Sequence, residues 1–163
     1  MKKIYLFLSF IIMIFVPSIT FGNVIDKLNE AGKFNKLNET LSKSGLNENL
    51  KGAGPFTVFA PLDDAFAAIS AKTYFGLLRD ENKDKLVNIL GRHVFSKKIN
   101  SSEIDGEIKL KAINGEEITI KKVNGIVYIN EAEVVTADVE VSNGVIHYIC
   151  LLYTSPSPRD QLQ

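Results

Sequence analysis

The sequence predicts an α+β domain, and three observations predict it. Apolar residues recur at helical spacing between Val24 and Leu46, apolar and polar residues alternate from Ile108 onward, and Asn-Gly dipeptides punctuate that alternation. Helices grouped early and antiparallel strands grouped late describe an α+β arrangement rather than a parallel alternating one.

Val24, Ile25, Leu28 and Ala31 share one face of a first helix, which stops at Gly32, a residue suited to the left-handed turn that closes a helix. Phe34, Leu37 and Leu41 repeat the pattern up to Gly45, after which Leu46 folds back on the preceding turn. Gly52 to Pro55 is a turn signal, and Phe56 to Ala60 is a nearly continuous apolar strand that belongs in the middle of a fold. Pro61 cannot donate to a ladder and ends it, while Asp63 or Asp64 is placed to cap a helix carrying Ala65, Phe66 and Ile69. A helical region is expected from Thr73 to Leu90, ended by Gly91 and followed by strand character at His93, Val94 and Phe95. Ser101 to Glu103 form a loop. Ile108 and Leu110 pair across an Asn114-Gly115 turn with Ile118 and Ile120, and Asn124-Gly125 leads into Val127 and Ile129. Val134, Val135, Val139 and Val141 continue the pattern, and Asn143-Gly144 turns the chain into a last strand, Val145 to Ile149.

The two ends read differently. Lys2 and Lys3 precede an apolar run from Ile4 to Val16, then Pro17 and small or polar residues to Gly22, a signal-peptide layout. The run is shorter than the ~20 residues of a membrane-spanning helix, so residues 1–22 are expected to be a leader cleaved after Thr20 or Gly22, leaving no membrane span. No cysteine near that point offers a lipid attachment site. Residues 150–163 break with the preceding pattern, and Cys150 to Asp160 can be back-translated into a transposase sequencing adapter. They are expected to be a non-native tail, with residues 23–149 forming a single domain.

Setting aside Lys2, Lys3, Arg159 and Asp160 reduces 19 basic and 19 acidic residues to 16 and 18. So small an imbalance gives no electrostatic footprint for nucleic acid. A domain of this length can bury a working core without disulfides, which a chain with one cysteine cannot form internally.

Chemistry-bearing residues are few. His93 and His147 are the only histidines, both lie in apolar strand-like runs, and nothing clusters with them to complete a three- or four-ligand metal site. No Gly-x-Ser-x-Gly elbow occurs. Asp63-Asp64 reads as helix capping and Glu116-Glu117 as hairpin surface. Neither catalytic residues nor a cofactor is expected. Phe34, Phe56, Phe59, Phe66, Phe75 and Phe95 fall on apolar faces, whereas Tyr74 and Tyr128 are the rings expected at the surface, able to contact a sugar or a protein.

Two stretches, Gly54-Pro55-Phe56-Thr57-Val58-Phe59-Ala60-Pro61 and Asn143-Gly144-Val145-Ile146-His147, resemble the signature segments of the fasciclin-type domain. The resemblance extends to Gly45-Leu46, Leu90 to Val94, Asn114-Gly115 and Asn130, covering roughly residues 24 to 149. It implies a compact wedge of two β-sheets with helices packed on one side and the two signature strands close together inside it. It further implies that Thr57, Val58, Phe59, Ala60, Pro61, Asp63, Phe66, His93, Asn130, Asn143, Gly144, Val145, Ile146 and His147 are structural, the histidines being buried and hydrogen-bonded. Leu62 stands where the family usually has threonine, leaving the cap to Asp63. Asn82-Lys83-Asp84 is similar to a receptor-recognition segment of animal members, but Lys85 replaces their apolar residue; Asn82 is read as a helix cap with Asp84 in the first turn. The function implied is that of a secreted or periplasmic, non-enzymatic adhesion and binding module. Its partner would be an extracellular or cell-surface protein or polysaccharide. One alternative is a periplasmic carrier of a small apolar or carbohydrate ligand, which would need a pocket between helices and sheet; another is a hydrolase using His93 or His147, which would need that ring solvent-accessible beside a serine or an acid.

Overall fold

The computed structural model describes residues 21–151, with the side chain of Leu151 left out. The expected leader, apart from its last two residues, and most of the expected tail lie outside that range. Helix α1 (Val24–Ala31) opens on a capping box, with Asn23 Oδ1 accepting from Asp26 N and Asp26 Oδ2 accepting from Asn23 N, both at 3.1 Å. It closes on Gly32 in the left-handed conformation, as expected. Helix α2 (Asn35–Ser44) ends on left-handed Gly45, and a short helix the sequence did not announce, α3 (Leu46–Leu50), follows at once. Leu28, Phe34, Leu37, Leu41, Leu46 and Leu50 are buried together against Val58, Ala60 and Ile146. Full burial of each such side chain contributes about 1.5–3 kcal/mol.

Among the described residues seven strands form one hydrogen-bonded sheet: β1 (Phe56–Pro61), β2 (Val94–Phe95), β3 (Glu107–Lys111), β4 (Glu117–Val123), β5 (Ile126–Ile129), β6 (Ala132–Val141) and β7 (Gly144–Leu151), in the order β2-β1-β7-β6-β5-β4-β3. The two expected sheets are halves of this single ladder. Laid flat, its outer strands would be roughly 29 Å apart, six spacings of ~4.8 Å. Yet Phe95 on β2 and Ile108 and Leu110 on β3 belong to one apolar cluster with Phe59, Ile120 and Ile149, so the sheet curls round it. Register shifts within β6, between Val134 and Thr136 and between Thr136 and Val139, mark where that strand bends. The first cluster lies under the helices and the second inside the curl. Strand β1 supplies both, Val58 and Ala60 to one and Phe59 to the other.

β1 and β7 run parallel and side by side from Phe56↔Gly144 to Pro61↔Ile149, while every other strand pair is antiparallel. The resemblance thus located the signature strands correctly.

Several local expectations need correction. The helical region expected from Thr73 to Leu90 consists of two helices, α4 (Ala71–Leu77) and α5 (Lys83–Gly91), separated by extended Arg79 and a 3-10 turn, the second starting just after Asn82. Asn82 does not cap α5 with its side chain; its Nδ2 donates instead to Gly76 O at 2.8 Å, tying the break together. Asp63 begins a 3-10 turn (Asp63–Ala68) and does not cap it. Its carboxylate reaches back to α2, accepting from Lys36 N (2.8 Å), Asn35 N (3.2 Å) and Asn35 Nδ2 (2.9 Å), because Phe34 at the N-cap of α2 offers no acceptor. Asn124-Gly125 forms the expected two-residue hairpin with positive φ at both residues. Asn114-Gly115 sits in a five-residue loop between Lys111 and Glu117. The last turn is Ser142-Asn143, with Gly144 already paired in the ladder. β7 continues through Cys150 and Leu151, paired with Glu133 and Ala132.

Candidate functional site

The signature residues are consumed by the scaffold. Thr57, fully buried, donates Oγ1–H to Lys97 O and accepts from Ile99 N (2.9 Å), fastening β1 to the chain beyond β2. Asn143 is the knot of the molecule. Its Oδ1 accepts from Val24 N at 3.0 Å, its Nδ2 donates to Leu50 O (2.7 Å) and Gly52 O (2.8 Å), and its carbonyl accepts from Phe56 N (2.9 Å). One amide thereby holds the start of α1, the end of α3 and the entry to β1. Gly144 follows because a Cβ there would overlap the Phe56 carbonyl. Val58, Phe59, Ala60, Val145 and Ile146 are core walls, Pro61 closes β1, and Asn130 takes a left-handed φ of 51° in the turn between β5 and β6.

His147 is fully buried, stacked on Phe59 with centroids 4.9 Å apart. Its Nε2 donates to Ile99 O at 2.8 Å and its Nδ1 accepts from Asp138 N at 3.2 Å, which fixes a neutral tautomer. Burial lowers its pKa below the ordinary histidine value, outweighing the Ile99 carbonyl and the Asp138 carboxylate, which raise it. With both nitrogens engaged, this imidazole has nothing to offer a substrate.

His93 differs. Half-buried just past the end of α5, it has Nδ1 3.0 Å from Ile89 O. Burial again lowers its pKa, and neighbouring Arg92 adds to the effect against the opposing carbonyl bond. The ring borders a groove of about 480 Å³. One wall is the end of β1 and the following turn, with Pro61, Ala65, Phe66 and Ile69; another is Ile89 and Leu90 of α5. Ile129, Ala132 and Ile149 supply the sheet side, and Arg92, Asn130 and Glu131 also contribute to the lining. Arg92 is held by Glu116, with Nε to Oε2 at 2.8 Å and Nη2 to Oε1 at 3.0 Å. Among the described residues no group of three His, Cys, Asp or Glu could hold a metal ion.

The surface aromatics are exchanged relative to expectation. Tyr74 is buried, its hydroxyl donating to Glu39 Oε2 at 2.6 Å; burial first, and then this carboxylate, raise its pKa. Phe75, expected in the core, is 64% exposed, and edge contacts run from Phe66 through Tyr74 to Phe75. Tyr128 is half-buried beneath Lys121, whose Nζ lies 5.8 Å from the ring centroid. Phe66, counted as structural, is half-buried and lines the groove. Sequence reasoning named a pocket between helices and sheet only as what a carrier would need and could not place it, because its lining comes from separate segments, most of them apolar for ordinary core reasons.

The family model for the Fasciclin domain matches residues 32–150. The chain belongs to the fasciclin domain family. Protein sll1483 of Synechocystis sp. is 52% identical over 101 residues, covering 61% of this chain and 55% of that protein. Transforming growth factor-beta-induced protein ig-h3 of Sus scrofa is 33% identical over 140 residues, 86% of this chain and 20% of that protein. The chain therefore spans about half the length of the first relative and a fifth of the second. A solved FAS1 domain pair from the insect cell adhesion molecule fasciclin I matches with a TM-score of 0.71 at 20% identity, over 83% of this chain and 52% of that one, so the fold is shared. The fasciclin signatures of this chain are thus its two central parallel strands. Its groove lies at their C-terminal ends, where Pro61 and Ile149 pair.

Proposed function

We propose that this protein is a secreted or periplasmic, non-enzymatic binding module whose working part is its surface. Its partner is an extracellular or cell-surface protein or polysaccharide. The observation that carries this is the fate of the signature residues: Thr57, Asn143 and His147 direct their polar atoms into the scaffold, leaving contact surface as what the fold presents. Residues 23–149 are the unit that performs it, and the layout of residues 1–22 supports export. No helix among the described residues is long and apolar enough to cross a membrane. Near-neutral net charge favours short-range complementarity over long-range steering.

Full-length protein immobilised and exposed to separated cell-surface protein and polysaccharide fractions should bind one of them saturably, with affinity changed little by about 0.5 M salt, where charges are screened within a few ångströms. Failure of every fraction to saturate, or loss of binding in that salt, would remove this reading.

The groove favours a second reading, that of a carrier for a small, largely apolar ligand. Its volume of about 480 Å³ falls within the roughly 300–1,000 Å³ of small-molecule sites.

A further inference from the structure

We propose that the groove selects an uncharged, largely apolar molecule bearing one hydroxyl or N–H donor, which it receives at Nε2 of His93. This deepens the carrier reading and rests on it. The Ile89 carbonyl 3.0 Å from His93 Nδ1 can only accept, so the proton sits on Nδ1. A neutral imidazole protonated there has an acceptor lone pair on Nε2. No described residue donates to that atom. His93 is half-buried, and its ring lines the groove. The ring thus adds an unanswered acceptor to a groove whose apolar walls include Phe66, Ile69, Ile129 and Ile149, with Arg92, Asn130 and Glu131 also in its lining.

Charge narrows the occupant further. Arg92, the cation lining the groove, is already held by both oxygens of Glu116, and Glu131 adds a negative charge. An anion would find no free counter-charge, and an ionised group pressed against the apolar walls would lose its hydration without replacement. Among the described residues no serine, threonine or cysteine lines the groove, so the lone pair has no described hydroxyl or thiol to activate. Accepting a ligand's hydrogen is the role the geometry leaves it.

The test uses two naphthalene probes that differ only in whether the oxygen carries a hydrogen or a methyl group, 1-naphthol and 1-methoxynaphthalene, titrated into the full chain while isoleucine methyl resonances are followed by NMR. Both probes should shift Ile69, Ile129 and Ile149 saturably while Ile104 and Ile118, inside the curled sheet, stay unmoved. The naphthol should bind about tenfold more tightly, the worth of one net hydrogen bond. His93→Phe, which keeps a ring without the acceptor, should abolish the preference. Acidification until His93 protonates should do the same in the unaltered protein, should that variant fail to fold. Equal affinity for the two probes, or a preference that survives in His93→Phe, overturns the donor inference and leaves the carrier reading standing. Groove methyls that ignore both probes overturn the two together.

Discussion

The β1–β7 seam and the groove at its far end share strands, yet they treat polar groups in opposite ways. At the seam, Thr57, Asn143 and His147 turn each of their polar side-chain atoms onto backbone groups, all but the Asp138 N–H from distant parts of the chain. At the groove, His93 uses one nitrogen on the last turn of the preceding helix and leaves the other without a partner among the described residues. Two histidines in similar apolar runs therefore have different work: one fixes architecture, the other borders a space. Burial alone does not mark a functional histidine. What distinguishes them is whether the second ring nitrogen is already occupied.

If the seam is the mechanical centre, damage there should dwarf damage at the groove. Gly144→Val places a side chain where the Phe56 carbonyl already stands, and backbone on backbone has no rotamer through which to escape. A loss of about 4 kcal/mol or more is expected, read as a collapse of the urea midpoint. Asn143→Ala should follow at about 3 kcal/mol, since it leaves Val24 N, Leu50 O and Gly52 O without their partner. A loss under 1 kcal/mol from Asn143→Ala would show that the three segments are held by packing instead.

The difference between the regions also marks what could be read in advance. Gly32 and Gly45 announced the ends of α1 and α2 because a left-handed residue is a local requirement, and Asn124-Gly125 announced its hairpin for the same reason. The adjacency of β1 and β7, 88 positions apart at Phe56↔Gly144, was legible only through family resemblance, since no local rule pairs distant parallel strands. Asp63 misled because a carboxylate beside a helix start reads as that helix's cap, whereas a helix 28 residues earlier lacked an acceptor and recruited it. Tyr74 and Phe75 were exchanged because neighbouring helical residues point about 100° apart. In a helix of only seven residues with adjacent aromatic rings, hydropathy did not decide which faced inward; Tyr74 had Phe66 and Glu39 to meet. The groove could not be placed for a related reason, as convergence of separated segments is a property of the fold and not of any stretch.

Acid should sharpen the comparison between the histidines. Both have folded-state pKa values below the ordinary one, mainly through burial, so the unfolded chain takes up protons more readily than the folded one. Stability is then fully present above about pH 6.5 and declines as the pH falls from there toward the folded-state values. Asp138, whose pKa is lowered because hydrogen bonds from Ser101 outweigh its desolvation, adds a further loss only under more acidic conditions, as its carboxylate protonates. His147→Phe should cost about 2 kcal/mol at neutral pH, for two lost bonds, and flatten the decline below pH 6.5. Urea titrations at a series of pH values give both quantities, and an unchanged slope in His147→Phe would assign the effect to His93.

The smallest effects lie along the ring contacts leading out from the groove. Tyr74→Phe removes one hydrogen bond to Glu39 and should cost about 1 kcal/mol in the urea midpoint. Phe75→Ser deletes a ring that is 64% exposed, so stability should move by no more than about 0.5 kcal/mol. An exposed aromatic in contact with Tyr74, itself packed on the groove residue Phe66, nevertheless offers the rigid, partly apolar area on which interfaces draw. Binding of Phe75→Ser to the cell-surface fraction that captures the unaltered protein should therefore weaken severalfold while its unfolding curve overlays the original. Unchanged capture would detach this edge from the contact surface and confine recognition to other faces of the domain.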